Sequence, residues 1–243
     1  MGRVKCKGLD VRALQIGWVL AAALLGATQT QAHSLDGLQQ DLFDRELYFQ
    51  IKDEPAPDFS LRGANDTPVR LHDLLGKVVV LNFIYTNCPD YCPLHAEKIA
   101  EVQQMINMTP MRDQVQFVSV TTDPARDTPN VLRTYGQLHG LDPVNWVFAT
   151  STIAEPEDAT RTVAKSFGLE FTPDENGVMQ MHGLVTIVID REGRWRGNFH
   201  GLDFESTNLV LYVNALVNDL DTHPPGGEPP SDSSFWSWVR SWF

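Results

Sequence analysis

The sequence has little cysteine, little positive charge and no hydrophobic run long enough to cross a membrane. Three cysteines in 243 residues exclude a disulfide-rich scaffold. Nineteen lysine and arginine residues face 31 aspartate and glutamate residues, which gives a formal net charge of −12. So acidic a chain argues against nucleic acid or anionic lipid as partners and favours cationic protein surfaces or metal ions.

The apolar run from Ala13 to Ala27 has 15 residues, fewer than the ~20 that a spanning helix needs. A positively charged start precedes it, and small residues at Thr30 and Ala32 follow. This pattern predicts an export signal over residues 1–32, cleaved before His33, with a retained anchor as the alternative. Removing it takes away four Lys or Arg and one Asp, which changes the net charge to −15. We therefore expect a membrane-associated protein in the periplasm or at the outer face of the inner membrane.

Hydrophobic patterns predict one α/β domain over residues 58–221. The run Val78–Tyr85 is nearly all apolar, as in a strand buried on both faces. Strands and helices then alternate, which predicts a thioredoxin-like fold with a central mixed β-sheet and an N-terminal hairpin extension around Gly63–Asp66. The other predicted elements are helices at Leu94–Met108, Thr128–Gly140, Glu155–Phe167 and Glu205–Leu220, and strands at Val115–Val120, Trp146–Ala149, Leu184–Ile189 and Arg194–His200.

Three segments flank this domain. Residues 33–57 are polar and mixed, which predicts a loosely packed N-terminal arm. Residues 222–234 are rich in Pro, Gly, Ser and acidic residues, as in a linker. Residues 235–243 hold three of the six tryptophans, and on a helix their aromatic side chains would share one face. A membrane interface, a partner groove and a sticky disordered tail are equally good interpretations of that segment.

After removal of Cys6 with the signal, Cys88 and Cys92 are the two remaining cysteines, four positions apart. A disulfide across so short a loop removes little chain entropy, so a chemical role is favoured over a structural one. The pair lies between a buried strand and the start of a helix, where the helix N-terminus favours thiolate. Thiolate binds metals and attacks disulfides, so both a metal site and a redox pair are open.

A good metal site needs a third donor, and the chain has seven histidines. His182 precedes the predicted strand Leu184–Ile189, in the loop that faces the cysteine loop in a thioredoxin-like fold. If Ile189 pairs with Arg194 in the closing hairpin, His182 and His200 point to opposite faces. His182 is then the candidate ligand.

The other donors are weaker candidates. His95 is interpreted as an exposed or capping histidine. Alternation places Met179 and Met181 on the face away from His182, as core residues. Two thiolates and one imidazole suit Cu(I) and Cu(II), whereas structural zinc prefers four ligands. The remaining histidines lie away from the cysteine loop in the predicted fold or at the new N-terminus: His33, His72, His139 and His223.

Two motifs carry a family resemblance. The first is Asn82-Phe83-Ile84-Tyr85-Thr86-Asn87-Cys88-Pro89-Asp90-Tyr91-Cys92-Pro93, and the second is Thr121-Thr122-Asp123-Pro124-Ala125-Arg126-Asp127-Thr128-Pro129. Over about Pro57 to Leu220 the chain resembles the Sco/SenC copper chaperones of cytochrome c oxidase assembly. The resemblance implies Cys88 and Cys92 as thiolate ligands, His182 as the imidazole ligand, and the dinuclear copper centre of the oxidase as the client.

Three residues of these regions need separate interpretation. The family often has an acidic residue before the ligand histidine, where this chain has Met181, a departure that affects the tuning of the site. Asp127 is interpreted as part of a helix start. Asp123 could also orient the site or a docking partner.

The favoured function is a metallochaperone, not an enzyme, that delivers copper to the copper-binding subunit of cytochrome c oxidase or to another cuproprotein, or prepares its cysteines. The alternative is a thiol–disulfide oxidoreductase of the cell envelope, with Cys88 and Cys92 as its redox pair and a thioredoxin-like reductant as its partner. A thiol peroxidase is less favoured, because peroxiredoxins have a threonine three residues before the cysteine and Thr86 is only two before Cys88.

Overall fold

The structure, a computed structural model, describes residues 35–89, 91–151, 158–173 and 179–218. The predicted export signal, linker and aromatic tail lie outside the described residues. The helices are α1 (Leu35–Arg45), α2 (Tyr91–Asn107), α3 (Pro129–Leu138), α4 (Ala159–Ser166) and α5 (Ser206–Asn218), with short 3-10 helices at Leu71–Leu74 and Pro110–Gln114. The strands are β1 (Phe49–Pro55), β2 (Ser60–Gly63), β3 (Pro68–Arg70), β4 (Val78–Ile84), β5 (Val115–Thr121), β6 (Trp146–Thr150), β7 (Glu170–Pro173), β8 (Met179–His182), β9 (Val185–Ile189) and β10 (Arg194–His200).

Among the described residues, one mixed sheet has the strand order β1-β10-β9-β4-β5-β6-β2-β3. Strands β4, β5 and β6 are parallel at its centre, and β9 is antiparallel to β4. Strands β2 and β3 form the predicted hairpin and extend the sheet beyond β6. The predicted α/β architecture with its hairpin extension is confirmed. Strands β7 and β8 form a separate two-stranded ladder that the hydrophobic pattern did not predict.

Apolar side chains cover both faces of the sheet. Every residue of β4 is buried, because α2 and α5 pack on one face while α4 and the residues around Phe59 pack on the other. Burying such a side chain stabilises the fold by about 1.5–3 kcal/mol. The hydrophobic cores on the two faces of the sheet therefore hold the carboxyl ends of β4 and β5 in place. The first sequence motif continues from the end of β4 and the second from the end of β5.

Residues 33–57 differ from the loosely packed arm that the sequence predicted. They contain α1 and β1, and β1 pairs antiparallel with β10 from Phe49 opposite Phe199 to Pro55 opposite Arg194. The ring centroid of Phe49 lies 4.8 Å from that of Phe199 and 4.9 Å from that of Tyr212. Strand β1 is a sheet edge with one fully buried side chain, so its sequence lacks the apolar alternation of an internal strand.

Candidate metal centre

The two cysteines lie where β4 gives way to α2. Cys88 is in the connecting loop and Cys92 is the second residue of the helix. The backbone N–H of Cys92 donates a hydrogen bond to Cys88 Sγ at 3.3 Å, which holds the sulfur of Cys88 against the first turn of α2. Both side chains are buried, at 9% and 1% exposure. The loop therefore presents two neighbouring thiols from a shielded position.

The protonation of Cys92 differs from the thiolate that the helix N-terminus predicted. Burial, together with hydrogen bonding to Cys88, raises the pKa of Cys92 to about 12. Removal of the sulfur from water opposes a bare negative charge more strongly than the first turn of α2 favours it. Cys92 is thus a thiol at neutral pH, and a metal ion that binds it must displace a proton.

A cavity of about 500 Å³ opens beside the two thiols. Met181 is among its lining residues and also packs against the hydrophobic core around Phe59 and Leu81, in agreement with its predicted place in the core. A thioether and two thiols are all soft sulfur donors, the class that Cu(I) prefers. The lining residues are Tyr85, Cys88, Tyr91, Cys92, Met181, Gly183, Leu184, Gly201, Leu202 and Asp203.

His182 lies outside this cavity. Its Nε2 is 2.5 Å from Thr172 Oγ1 on β7, and its side chain lines a second cavity of about 230 Å³ together with His200. Within the described ranges, no three His, Cys, Asp or Glu side chains come together closely enough to bind one metal ion. The structure thus brings Cys88 and Cys92 together but does not bring His182 to them.

The register argument used for His182 is wrong in two respects. Ile189 pairs with Trp195 rather than Arg194, and an irregularity between Trp195 and Gly197 shifts the ladder by one further residue. The strand also does not continue through His182, because Gly183 has a φ of +85° and interrupts it before β9. The side-chain alternation of β9 therefore cannot be extended to His182 or Met181.

A buried carboxylate ties the cysteine loop to the second motif. Asp127 is fully buried and accepts hydrogen bonds from the backbone N–H of Thr86, at 3.1 Å, and from the hydroxyls of Thr86 and Thr121. Its role is structural, as predicted, but Thr128 rather than Asp127 caps α3. The side chain of Asp123 forms an ion pair with Arg126. Asp127 thus fixes the position of Thr86, two residues before Cys88.

Three of the other histidines are not among the residues that line the cavity beside Cys88 and Cys92. His72 is 83% exposed, and Nδ1 of His139 lies 3.2 Å from a carboxylate oxygen of Glu97. His95 is fully buried, so its interpretation as an exposed residue is wrong. His33 and His223 lie outside the described residues.

Comparisons with known proteins show which family the chain belongs to. The family model described as SCO1/SenC matches residues 50–217. The mitochondrial SCO1 homolog of Mus musculus is 39% identical over 146 residues, which cover 58% of this chain and 49% of that protein. The solved structure of Bradyrhizobium japonicum ScoI with copper bound has 25% identity and a TM-score of 0.55, over 67% of this chain and 99% of that one.

A second solved structure shows the same fold. It is BsSco, described as a member of the Sco family of cytochrome c oxidase assembly proteins and as having a disulfide switch. The TM-score is 0.58 at 22% identity, over 69% of this chain and 98% of that one.

Proposed function

The chain belongs to the SCO1/SenC family, and we propose that it binds copper at Cys88, Cys92 and His182 and passes it to a cuproprotein. The proposed client is the dinuclear copper centre of cytochrome c oxidase, and BsSco is described as belonging to a family of cytochrome c oxidase assembly proteins. The observation that carries the proposal is the pair of buried thiols beside an open cavity. Two thiolates from one rigid loop supply most of the coordination that a soft, low-coordinate ion needs.

His182 completes the site by leaving Thr172. Strands β7 and β8 are not hydrogen-bonded into the main sheet, so their rearrangement leaves the core ladder intact. Gly183 follows His182 directly and tolerates large changes in backbone angles. One hydrogen bond to Thr172 is lost, at a net cost of about 0.5–1.5 kcal/mol, which a metal–imidazole bond exceeds.

The alternative function, thiol–disulfide exchange, uses the same two cysteines without His182. It requires a nucleophilic thiolate. The raised pKa of Cys92 leaves little of that species at neutral pH. A metal ion, in contrast, can displace the proton by binding the sulfur directly. Metal binding therefore does not require a free thiolate at Cys92, whereas attack on a disulfide by Cys92 does; attack by Cys88 stays open.

Export and partners belong to the same proposal. The predicted export signal over residues 1–32 would place the cavity in the cell envelope, where the copper subunit of the oxidase is accessible. Among the described residues, no helix is both long and apolar enough to cross a bilayer. The aromatic segment 235–243 would supply the membrane contact, and a thioredoxin-like reductant would keep Cys88 and Cys92 as thiols.

Metal analysis tests the copper site. Purified under reducing conditions and loaded with copper, the protein should retain one copper ion per chain. The double variant Cys88→Ser, Cys92→Ser should retain almost none, since hydroxyl groups are poor ligands for Cu(I). His72→Ala, at an exposed position, is the matched control. Full stoichiometry in the double variant would contradict the proposal.

A single variant separates the chaperone from the oxidoreductase. His182→Ala should lose Cu(II) binding, while Cys88 and Cys92 still form and break a disulfide with a thiol reductant. If cells with this variant fail to assemble the oxidase at low copper supply, copper transfer is the working activity. Normal assembly under those conditions would favour thiol chemistry instead.

A further inference from the structure

The turn between α1 and β1, residues 46–48, lies beside the cavity that opens next to the two thiols. The backbone carbonyl of Tyr48 accepts a hydrogen bond from the backbone N–H of His200 at 2.9 Å. Residues 201–203, which follow His200 directly, line that cavity. The turn is therefore held against the loop between β10 and α5, which forms one wall of the proposed copper site.

A buried carboxylate attaches the other end of this turn to the same loop. Glu46 is buried, and its Oε2 accepts hydrogen bonds from the backbone N–H of Glu205 at 3.0 Å and from Asn208 Nδ2 at 2.8 Å. Hydrogen bonds to a carboxylate are stronger than those between neutral groups. Phe204, in the same loop, is fully buried. The turn and the cavity wall are thus joined at residues 46 and 48.

Apolar side chains are exposed on both sides of this junction. Leu47, between the two attachment points, is 92% exposed, although turns usually carry polar residues or glycine. Tyr48 and Tyr91 are also exposed, and Leu202 is half-buried. Tyr91 and Leu202 belong to the cavity wall. Exposed apolar and aromatic side chains grouped in this way are typical of protein interaction sites. We call Leu47, Tyr48, Tyr91 and Leu202 the apolar rim.

The burial of the two thiols determines which surface a copper acceptor must contact. Cys88 and Cys92 are both buried, so an acceptor reaches an ion bound there only by placing a ligand of its own inside the cavity. The surface that carries this ligand then covers the apolar rim. We propose that the rim is the docking surface for the copper acceptor, a protein with apolar side chains around its own thiol ligands. This inference deepens the proposed copper-transfer function and rests on it.

Transfer in the docked complex is an exchange of ligands. Each acceptor thiol that binds the ion loses its proton and replaces one cysteine of the donor, which regains a proton. The copper ion keeps its oxidation state, so no oxidant or reductant takes part. The net charge of −12 makes two copies of the chain repel each other and opposes binding to anionic lipid. A different protein is therefore the favoured occupant of the rim.

Leu47→Ser tests the rim through the rate of copper transfer. The Cu(I)-loaded protein is mixed with the apo copper-binding domain of the oxidase subunit, and copper in that domain is measured at intervals after rapid separation. The variant should transfer copper about tenfold more slowly at low acceptor concentration, as for loss of one apolar interface contact. At saturating acceptor its rate should equal that of the wild type. Leu47→Met, which stays apolar, should keep the wild-type rate throughout.

Leu75→Ser is the matched control, because Leu75 is exposed and precedes β4, at the end of that strand away from the cysteine loop. It should transfer copper at the wild-type rate. Copper affinity and thermal unfolding of Leu47→Ser should also equal those of the wild type, since Leu47 is exposed and is not among the residues that line the cavity.

The outcomes separate docking from copper binding. Equal transfer rates in Leu47→Ser, Leu75→Ser and the wild type overturn the docking role and leave copper binding standing. The docking role is also overturned if Leu47→Ser keeps the transfer rate but loses a wild-type dimer, or loses sedimentation with phosphatidylethanolamine and phosphatidylglycerol vesicles. A wild type that binds no copper, or passes none to the acceptor, overturns the proposed function itself and this inference with it.

Discussion

His95 lies three residues beyond Cys92 on α2, and its side chain is fully buried. Its Nε2 is 2.8 Å from Thr186 Oγ1, while Nδ1 has no hydrogen-bond partner among the described residues. Helical spacing places it four residues before Ile99, on the buried stripe of the helix. That spacing was the signal in the sequence that could have identified it as a core residue. Burial lowers the pKa of His95 from 6.5 to about 4.

This histidine should make the fold sensitive to acid. Because its pKa is lower in the folded chain than in the unfolded one, the unfolded state binds more protons between pH 6.5 and 4. The free energy of unfolding should fall as the pH falls through this window, by up to about 3 kcal/mol from this group. Urea unfolding at several pH values measures it. His95→Gln should flatten the dependence, and an unchanged slope relative to the control His72→Gln would contradict the assignment.

At the scale of elements, the test concerns whether β1 is part of the folded domain. Phe49 is 5% exposed and packs on Phe199 and Tyr212. Phe49→Ala should lower the free energy of unfolding by about 3–5 kcal/mol, the usual cost of removing a buried phenylalanine. Phe43→Ala, at a position 55% exposed on α1, is the matched control and should have little effect. Equally small decreases in the free energy of unfolding in both variants would support the original prediction of a loosely packed arm.

The elements with strong apolar periodicity could be predicted from the sequence. The buried strand β4, the helix that follows the cysteines and the hairpin across Asp190–Gly193 all form within a few residues of their predicted bounds. Helix α4 begins at Ala159, later than the predicted Glu155, and residues 152–157 lie outside the described ranges. The thioredoxin-like class and the Sco/SenC family are confirmed by the comparisons. These predictions succeeded because burial on one or both faces of an element leaves a periodic record in the chain.

The orientation of His182, the predicted third ligand, could not be predicted in the same way. It depends on the irregularity in β10 near Trp195 and on the positive φ of Gly183. Neither leaves a periodic signal, and each changes which face a side chain occupies. The residue types Cys and His suggest which side chains could bind a metal, and Cys88, Cys92 and His182 stay a prediction as ligands. Where these side chains lie relative to one another depends on the backbone conformation, which the sequence pattern does not show.

At the scale of the whole molecule, the chain carries a formal net charge of −12, and Asp203 lies in the wall of the cavity beside Cys88 and Cys92. A cationic client surface would be attracted to such a protein, and the attraction acts over about 8 Å at physiological ionic strength. The net charge therefore favours encounters with cationic protein surfaces. Stable binding to a membrane requires a different feature. The aromatic segment at the end of the chain is the candidate.

Deleting residues 231–243 tests that segment. On a helix, Phe235, Trp238 and Trp242 would share one face, and three large aromatic side chains can bury in the interface of a bilayer although so short a segment cannot span it. The deletion lies beyond α5 and beyond every residue of the copper cavity. Copper affinity and thermal unfolding should therefore stay unchanged, while the fraction of protein that sediments with membranes should fall. Ser237→Ala, a change off the aromatic face, is the control, and equal sedimentation of the truncated and full-length proteins would show that the anchor lies elsewhere.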